Sequence, residues 1–186
     1  MRLTDLLSLS HVPRWSIVRH SPPQSVADHS FRVAVIYYEL CERLKCPVSV
    51  GALWWALTHD GAECHSGDIS AKFKSLLNRK ALSVAEESAS PWYIDCYRNL
   101  PGIEVSLVKL ADELEAATFI AMHGVGPHAT NVADWCRVIV QNNAYARAGN
   151  TARAIEIVTQ IYREIVGEEG RFDPTGFISS DRPSTG

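Results

Sequence analysis

Apolar residues recur at helical period along most of the chain. In SVADHSFRVAVIYYELCERLK, residues 25–45, Val33, Ile36 and Leu40 share one face, and Ser25 and Asp28 stand at capping-box spacing. Pro47 closes that segment. VSVGALWWALTHD, 48–60, reads as a mostly buried helix. DISAKFKSLLNRKA, 68–81, reads as an amphipathic one with Lys72, Lys74, Arg79 and Lys80 on its polar positions. EVSLVKLADELEAATFIAMHG forms a long helix stopped by Gly124. Two more, 132–149 and 151–167, also end at glycine. HSPPQ, SASPWYID, NLPG and HGVGPHATN mark loops. No strand pattern or repeat is present. The chain is expected to be all-α, with six or seven helices in one domain over 1–170. The Pro-, Ser-, Thr- and Gly-containing stretch 171–186 is expected to be an irregular tail, poorly ordered or docked on a neighbouring subunit.

Composition narrows the class. The 186 residues carry 46% hydrophobic and 21% charged residues, ordinary for a globular protein able to bury a core. A net charge of −3 argues against a binder of polymeric nucleic acid. Five cysteines without a CxxC pair suggest neither a disulfide framework nor a zinc ribbon, and fit reduced thiols in a cytoplasm. The first ten residues lack a signal-peptide core, and no apolar run is long enough for a membrane span.

Candidate chemistry lies in LTHDGAECHSGD, residues 57–68, directly after the apolar GALWWAL. His59 and Asp60 are adjacent, about 100° apart on a continuous helix, so both address one ion only where the helix ends or bends. His29 lies on the apolar stripe of its own helix, where a satisfied core histidine is the plain alternative. Asp112 aligns with Val105, Val108, Ala116 and Phe119. A carboxylate on such a stripe is costly unless metal-bound or paired with an arginine. Two imidazoles and two carboxylates suit a divalent Zn, Co, Mn or Fe ion with a position left open for chemistry. Cys64 is close in sequence but is the weaker ligand candidate.

His29, the pair His59-Asp60 and Asp112 resemble the H…HD…D signature of HD-domain metal-dependent phosphohydrolases. PRW at 13–15, SVADHS at 25–30, HDGAE at 59–63, GD at 67–68 and LADELEA at 110–116 resemble bacterial 5′-deoxynucleotidases. Asp112 follows Asp60 by only 52 positions (112 − 60). That compactness, with RWSI at 14–17, looks more like the dATP triphosphohydrolases of phages that replace adenine by 2-aminoadenine. The resemblance implies a single HD-domain helical bundle holding a divalent ion (Zn, Co or Mn), with Mg an option alongside the nucleotide phosphates. It implies hydrolysis of dATP to deoxyadenosine and triphosphate, a homo-oligomer, and a place in the host cytoplasm if phage-encoded. A 5′-deoxynucleotidase and a non-catalytic nucleotide-binding module are the alternatives. An HD-fold oxygenase is disfavoured, because only His65 lies between the His-Asp pair and the last aspartate.

Roles for further residues follow. Glu63, four residues after His59, is expected to do general acid/base work rather than sit as a solvated loop residue. Asp68 matches a family aspartate near the active-site water, and also suits an N-cap for the helix that follows. Arg14 and Lys74 are the candidate phosphate contacts, with Arg19, Lys72 and Lys109 behind them; a surface charge is the plain alternative for each. In an extended loop Trp15 and Ile17 point the same way, and by resemblance they form a wall fitting adenine and crowding a 2-amino group. The plain alternative for Trp15 is to pack the loop onto the core. The alanine-rich pair around YARAGNTARAIEIV is expected to serve core and subunit contact together.

Overall fold

The computed structural model describes residues 3–89, 97–148 and 152–167. Its helices are α1 (Leu3–Leu7), α2 (Val26–Leu44), α3 (Val50–Thr58), α4 (Glu63–Ser66), α5 (Ala71–Lys74), α6 (Arg79–Ala89), α7 (Gly102–His123), α8 (Pro127–Arg147) and α9 (Ala152–Val166), with a 3-10 turn at Ser8–His11. The described residues hold no strand; two isolated bridges join Pro13 to Ser25 and His20 to Gly124. The all-α expectation holds. The tail 171–186 lies outside the described residues.

Helix α7 is the axis of the bundle, with α2, α3, α8 and α9 packed against it. One cluster of buried side chains runs through these helices, including Val33, Tyr37, Leu40, Trp55, Leu107, Leu110, Leu114, Val140, Val158 and Tyr162. Two polar devices fix the helices that carry the candidate ligands. Ser25 caps α2 in a reciprocal box with Asp28. The Ser49 hydroxyl accepts from Ala52 N at 3.1 Å, capping α3, and donates to Glu104 of α7 at 2.5 Å.

Two sequence expectations change. The single helix predicted over 68–81 is broken: α5 ends at Lys74 and α6 starts at Arg79. The Asn78 side chain accepts from Lys80 N at 3.0 Å and Ala81 N at 3.2 Å, so it opens a new helix instead of continuing the old one. Helix α8 begins five residues earlier than predicted, at Pro127, a residue suited to a first helical turn. The α7–α8 corner is tight. A Cβ on Gly124 would lie 2.6 Å from Ile120 O and 2.8 Å from Ala129 Cβ, so only glycine fits.

Leu40 is fully buried and lies 11 residues along α2 from His29, about 16 Å at 1.5 Å per residue. Leu40→Ala is expected to cost about 3 kcal/mol in urea unfolding while leaving zinc affinity within twofold of wild type. A loss of zinc binding equal to that of a ligand variant would show that the site and this part of the core are not separable.

Candidate metal centre and active site

Helix α3 stops at Thr58, with His59 as its C-cap, and the chain turns through Gly61 N to Thr58 O at 2.9 Å. That ending brings His59 and Asp60 to one point. His29 enters from the first turns of α2 and Asp112 from the middle of α7. The His29 Nε2 atom lies 3.5 Å from Asp60 Oδ2 and 3.2 Å from Asp112 Oδ1; His59 Nε2 lies 3.4 and 3.7 Å from the same two oxygens. Neighbouring donors around one zinc at its usual 2.0–2.1 Å stand about 3 Å apart when further positions are left open, and about 3.3 Å apart in a tetrahedron. His29, His59 and Asp112 form a group whose ligand atoms all lie within 4.8 Å of one another, and Asp60 Oδ2 lies beside both imidazoles.

The imidazoles are also set in the correct tautomer. His59 Nδ1 donates to Ala56 O at 2.9 Å, and His29 Nδ1 donates to Glu115 Oε2 at 2.6 Å. Each Nε2 is left facing the site, and both are buried without a hydrogen-bond partner. Two orphaned lone pairs flanked by two carboxylates fit a divalent cation. Burial and Arg14 depress the basicity of His29, but Glu115 and Asp112 overcome them and raise its pKa to about 9. Burial works against ionisation of Asp112, yet Lys109 and the two imidazoles hold its carboxyl well below the usual range.

Glu63 opens α4, is 4% exposed, and accepts from Lys74 Nζ at 3.1 Å through Oε1. Its Oε2 is buried and unpartnered. Burial and neighbouring Asp60 push its pKa up to about 8 against the pull of Lys74. Lys74 and Lys109 both line a cleft of about 250 Å³ with His59, Asp60, Ala62, Glu63, Leu82 and Glu86. Lys109 Nζ stands 3.5 Å from Asp112 Oδ2. Arg19 is exposed, and the side chain of Lys72 lies outside the described part.

The Arg14–Ile17 segment departs from expectation. Val18 N donates to Trp15 O at 2.8 Å and Trp15 has φ 60°, so the chain turns here rather than extending. The alternation that would align Trp15 with Ile17 is lost. Ile17 is 65% exposed on the turn, while the Trp15 indole stacks on Phe119 at 6.3 Å and donates to Gln24 Oε1 at 2.9 Å. Arg14 is drawn inward, its guanidinium 3.3 Å from Glu115 Oε2 and 5.5 Å from the Trp15 ring centre. Arg14, Trp15 and Ile17 are not among the residues lining the lysine-bearing cleft. Asp68 accepts from Trp15 N at 3.1 Å and so pins the turn. It does not cap the following helix; Ser70 does. Cys64 lies outside the ligand cluster.

Sequence reading missed Glu115 and Gln24. Glu115 is 1% exposed, whereas Asp112 keeps 25% of its side-chain surface. The innermost acid of LADELEA is therefore the third residue after the ligand, on the same helical face. That i, i+3 spacing was the available signal.

A family model described as HD domain matches residues 7–169. The dATP triphosphohydrolase of Salmonella phage PMBT28 is 36% identical over 138 residues, 68% of this chain and 70% of that protein. The dATP triphosphohydrolase of Cyanophage S-2L is 30% identical over 130 residues, covering 69% and 74%. Among solved structures, the Cyanophage S-2L HD phosphohydrolase (DatZ), bound to dA and one catalytic Zn2+ ion, matches with a TM-score of 0.82 at 22% identity. The match covers 90% of this chain and 98% of that one, and speaks for the fold. A conserved hypothetical protein from Pyrococcus furiosus matches with a TM-score of 0.60 at 26% identity, over 87% and 95%.

The raised pKa of His29 has a direct consequence for the metal-free protein. Its proton stabilises the fold fully below the ordinary value of 6.5, and that contribution is lost as pH rises through about 9. Glu63 acts in the same direction between 4.5 and about 8, because the fold keeps its carboxyl protonated. The Tm of chelator-treated protein is expected to fall between pH 6.5 and 9. Zinc-loaded protein, whose His29 must be neutral, is expected to lack the His29 part of that fall. A flat or rising Tm in the chelated sample contradicts the assignment.

Proposed function

The chain belongs to the HD-domain family, and from that premise we propose that it is a metal-dependent phosphohydrolase converting dATP to deoxyadenosine and triphosphate. The carrying observation is the paired orphan Nε2 atoms of His29 and His59 between Asp60 and Asp112, beside the buried Glu63 carboxylate. The chain's 36% identity to a phage dATP triphosphohydrolase supports the substrate choice. The ion is Zn, Co or Mn, since imidazole and carboxylate donors suit these, and Mg accompanies the phosphates. Bound there, it supplies Lewis-acid polarisation of a phosphate oxygen and of a water.

The protein's own residues do the rest. Glu63 Oε2 has no hydrogen-bond partner, and in its ionised form it takes a proton from the attacking water. The water oxygen bonds to the α-phosphorus, the bond to the 5′-oxygen breaks, and the proton held by Glu63 goes to the departing oxygen. An ion held by His29, His59, Asp60 and Asp112 would offset the Asp60 charge that raises Glu63 and so favour the ionised carboxylate a base requires. Lys74 and Lys109 offer positive charge to the triphosphate along the cleft. Arg14 and Trp15 are assigned to the sugar and base side, with Asp68 holding their turn in place. Ile17, on the exposed face of that turn, completes the base contact on this reading.

On this reading the enzyme works in the cytoplasm with the nucleotide pool, the host's cytoplasm if the chain is phage-encoded. No described helix is long and apolar enough to cross a membrane. Self-association belongs to the same proposal and is supported by Phe31, Val35 and Tyr38, which leave one face of α2 exposed.

The test is purified protein with Zn2+, Co2+ or Mn2+ against dNTPs and dNMPs, following triphosphate or phosphate. dATP is expected to be the preferred substrate, with triphosphate released. Preference for a monophosphate would make the protein a 5′-deoxynucleotidase, and no turnover would leave a binding module. Glu63→Gln is expected to lower kcat by about 10²–10⁴ while zinc still binds.

A further inference from the structure

We propose that Glu115 is a positioning residue that links ion retention to the Arg14–Trp15 turn, so that one buried carboxylate orients a metal ligand and seats the nucleotide contacts. The inference rests on the reading of that turn as the nucleoside side of the site. Three donors converge on Glu115 from two separate segments. His29 Nδ1 reaches Oε2 at 2.6 Å, Arg14 Nη1 reaches the same oxygen at 3.3 Å, and Gln24 Nε2 reaches Oε1 at 2.6 Å. Gln24 then accepts from the Trp15 indole at 2.9 Å through its own Oε1. The arrangement is held by backbone as well, since Arg14 N donates to Gln24 O at 2.9 Å.

Glu115 is 1% exposed, so water does not substitute for any of these partners. All three neighbours only donate at these atoms, and the acceptor must therefore be a carboxylate with both oxygens free. A glutamine of the same shape turns one oxygen into an NH2 group. That group faces either the His29 N–H or the Gln24 N–H, donor against donor, which breaks that arm, and the other arm is weakened because it is left with an uncharged amide oxygen. A histidine ligand whose second nitrogen loses its carboxylate also loses tautomer control and basicity. Gln24 lies on one arm only, which makes the two arms separable.

The experiment compares Glu115→Gln and Gln24→Ala with wild type. Zinc affinity is measured by calorimetry without nucleotide. Trp15 emission is read as each protein minus its Trp15→Phe counterpart, and kcat and KM are read with dATP. Glu115→Gln is expected to weaken zinc binding by about 10–100-fold, red-shift Trp15 emission and raise KM. Gln24→Ala is expected to red-shift Trp15 and raise KM with zinc affinity unchanged. Unchanged zinc affinity or unchanged Trp15 emission in Glu115→Gln overturns the proposal. If that variant does not fold, unshifted Trp15 emission in Gln24→Ala does so. Absence of dATP turnover by wild-type protein would sink the functional reading instead, while zinc affinity and Trp15 emission still decide the role of Glu115.

Discussion

Two histidine nitrogens with no hydrogen-bond partner, buried between two carboxylates, cannot be left as they are without a cation or extra protons. Most of the surrounding architecture serves that demand. Nδ1 of each ring is tied down, one by Ala56 O and one by Glu115, so both lone pairs point the same way. The helices bearing them are capped by Ser25 and Ser49, and the Ser49 hydroxyl reaches across to Glu104 on the same helix that carries Asp112. The apolar cluster around α7 then sets the separation of those helices. Preorganisation here comes from backbone caps and packing, so the ligands need little rearrangement to take up an ion.

The charges around this centre are divided by side. On one side Lys74 and Lys109 line a cleft, each paired with an acid, Glu63 at 3.1 Å and Asp112 at 3.5 Å. On the other, Arg14 is sequestered against Glu115 and the Trp15 ring, its charge spent on holding the loop rather than offered to solvent. Glu63 and Lys74 hold each other at 3.1 Å in the same cleft.

Much of the fold was readable because helical period and caps are local. Val33, Ile36 and Leu40 are all buried as their spacing predicted, and the Ser25–Asp28 box is present. The broken helix at Ser75–Asn78 was missed because apolar periodicity carries across the interruption. Only the Asn78 side chain, which competes with the backbone, ends it. The grouping of His29, His59, Asp60 and Asp112 was legible from residue type and the need for a helix end at His59. The turn at Trp15 was not, because a tryptophan at φ 60° has no sequence signature and is imposed by Asp68 and Gln24. Glu115 was overlooked for a related reason. A glutamate on a helix reads as a solvated charge until two distant segments are seen to aim their N–H groups at it.

The end of α3 at Thr58 also decides where this chain tolerates a change of length. One residue added inside the helix would swing His59 by about 100° about its axis, off the shared point with His29 and Asp112. The irregular stretch beyond α4, from Gly67 to Ser70, has no such phase to keep, apart from the Asp68 anchor. Insertions and deletions among descendants of this sequence should therefore collect after the His-Asp pair and spare the nine residues of the helix before it.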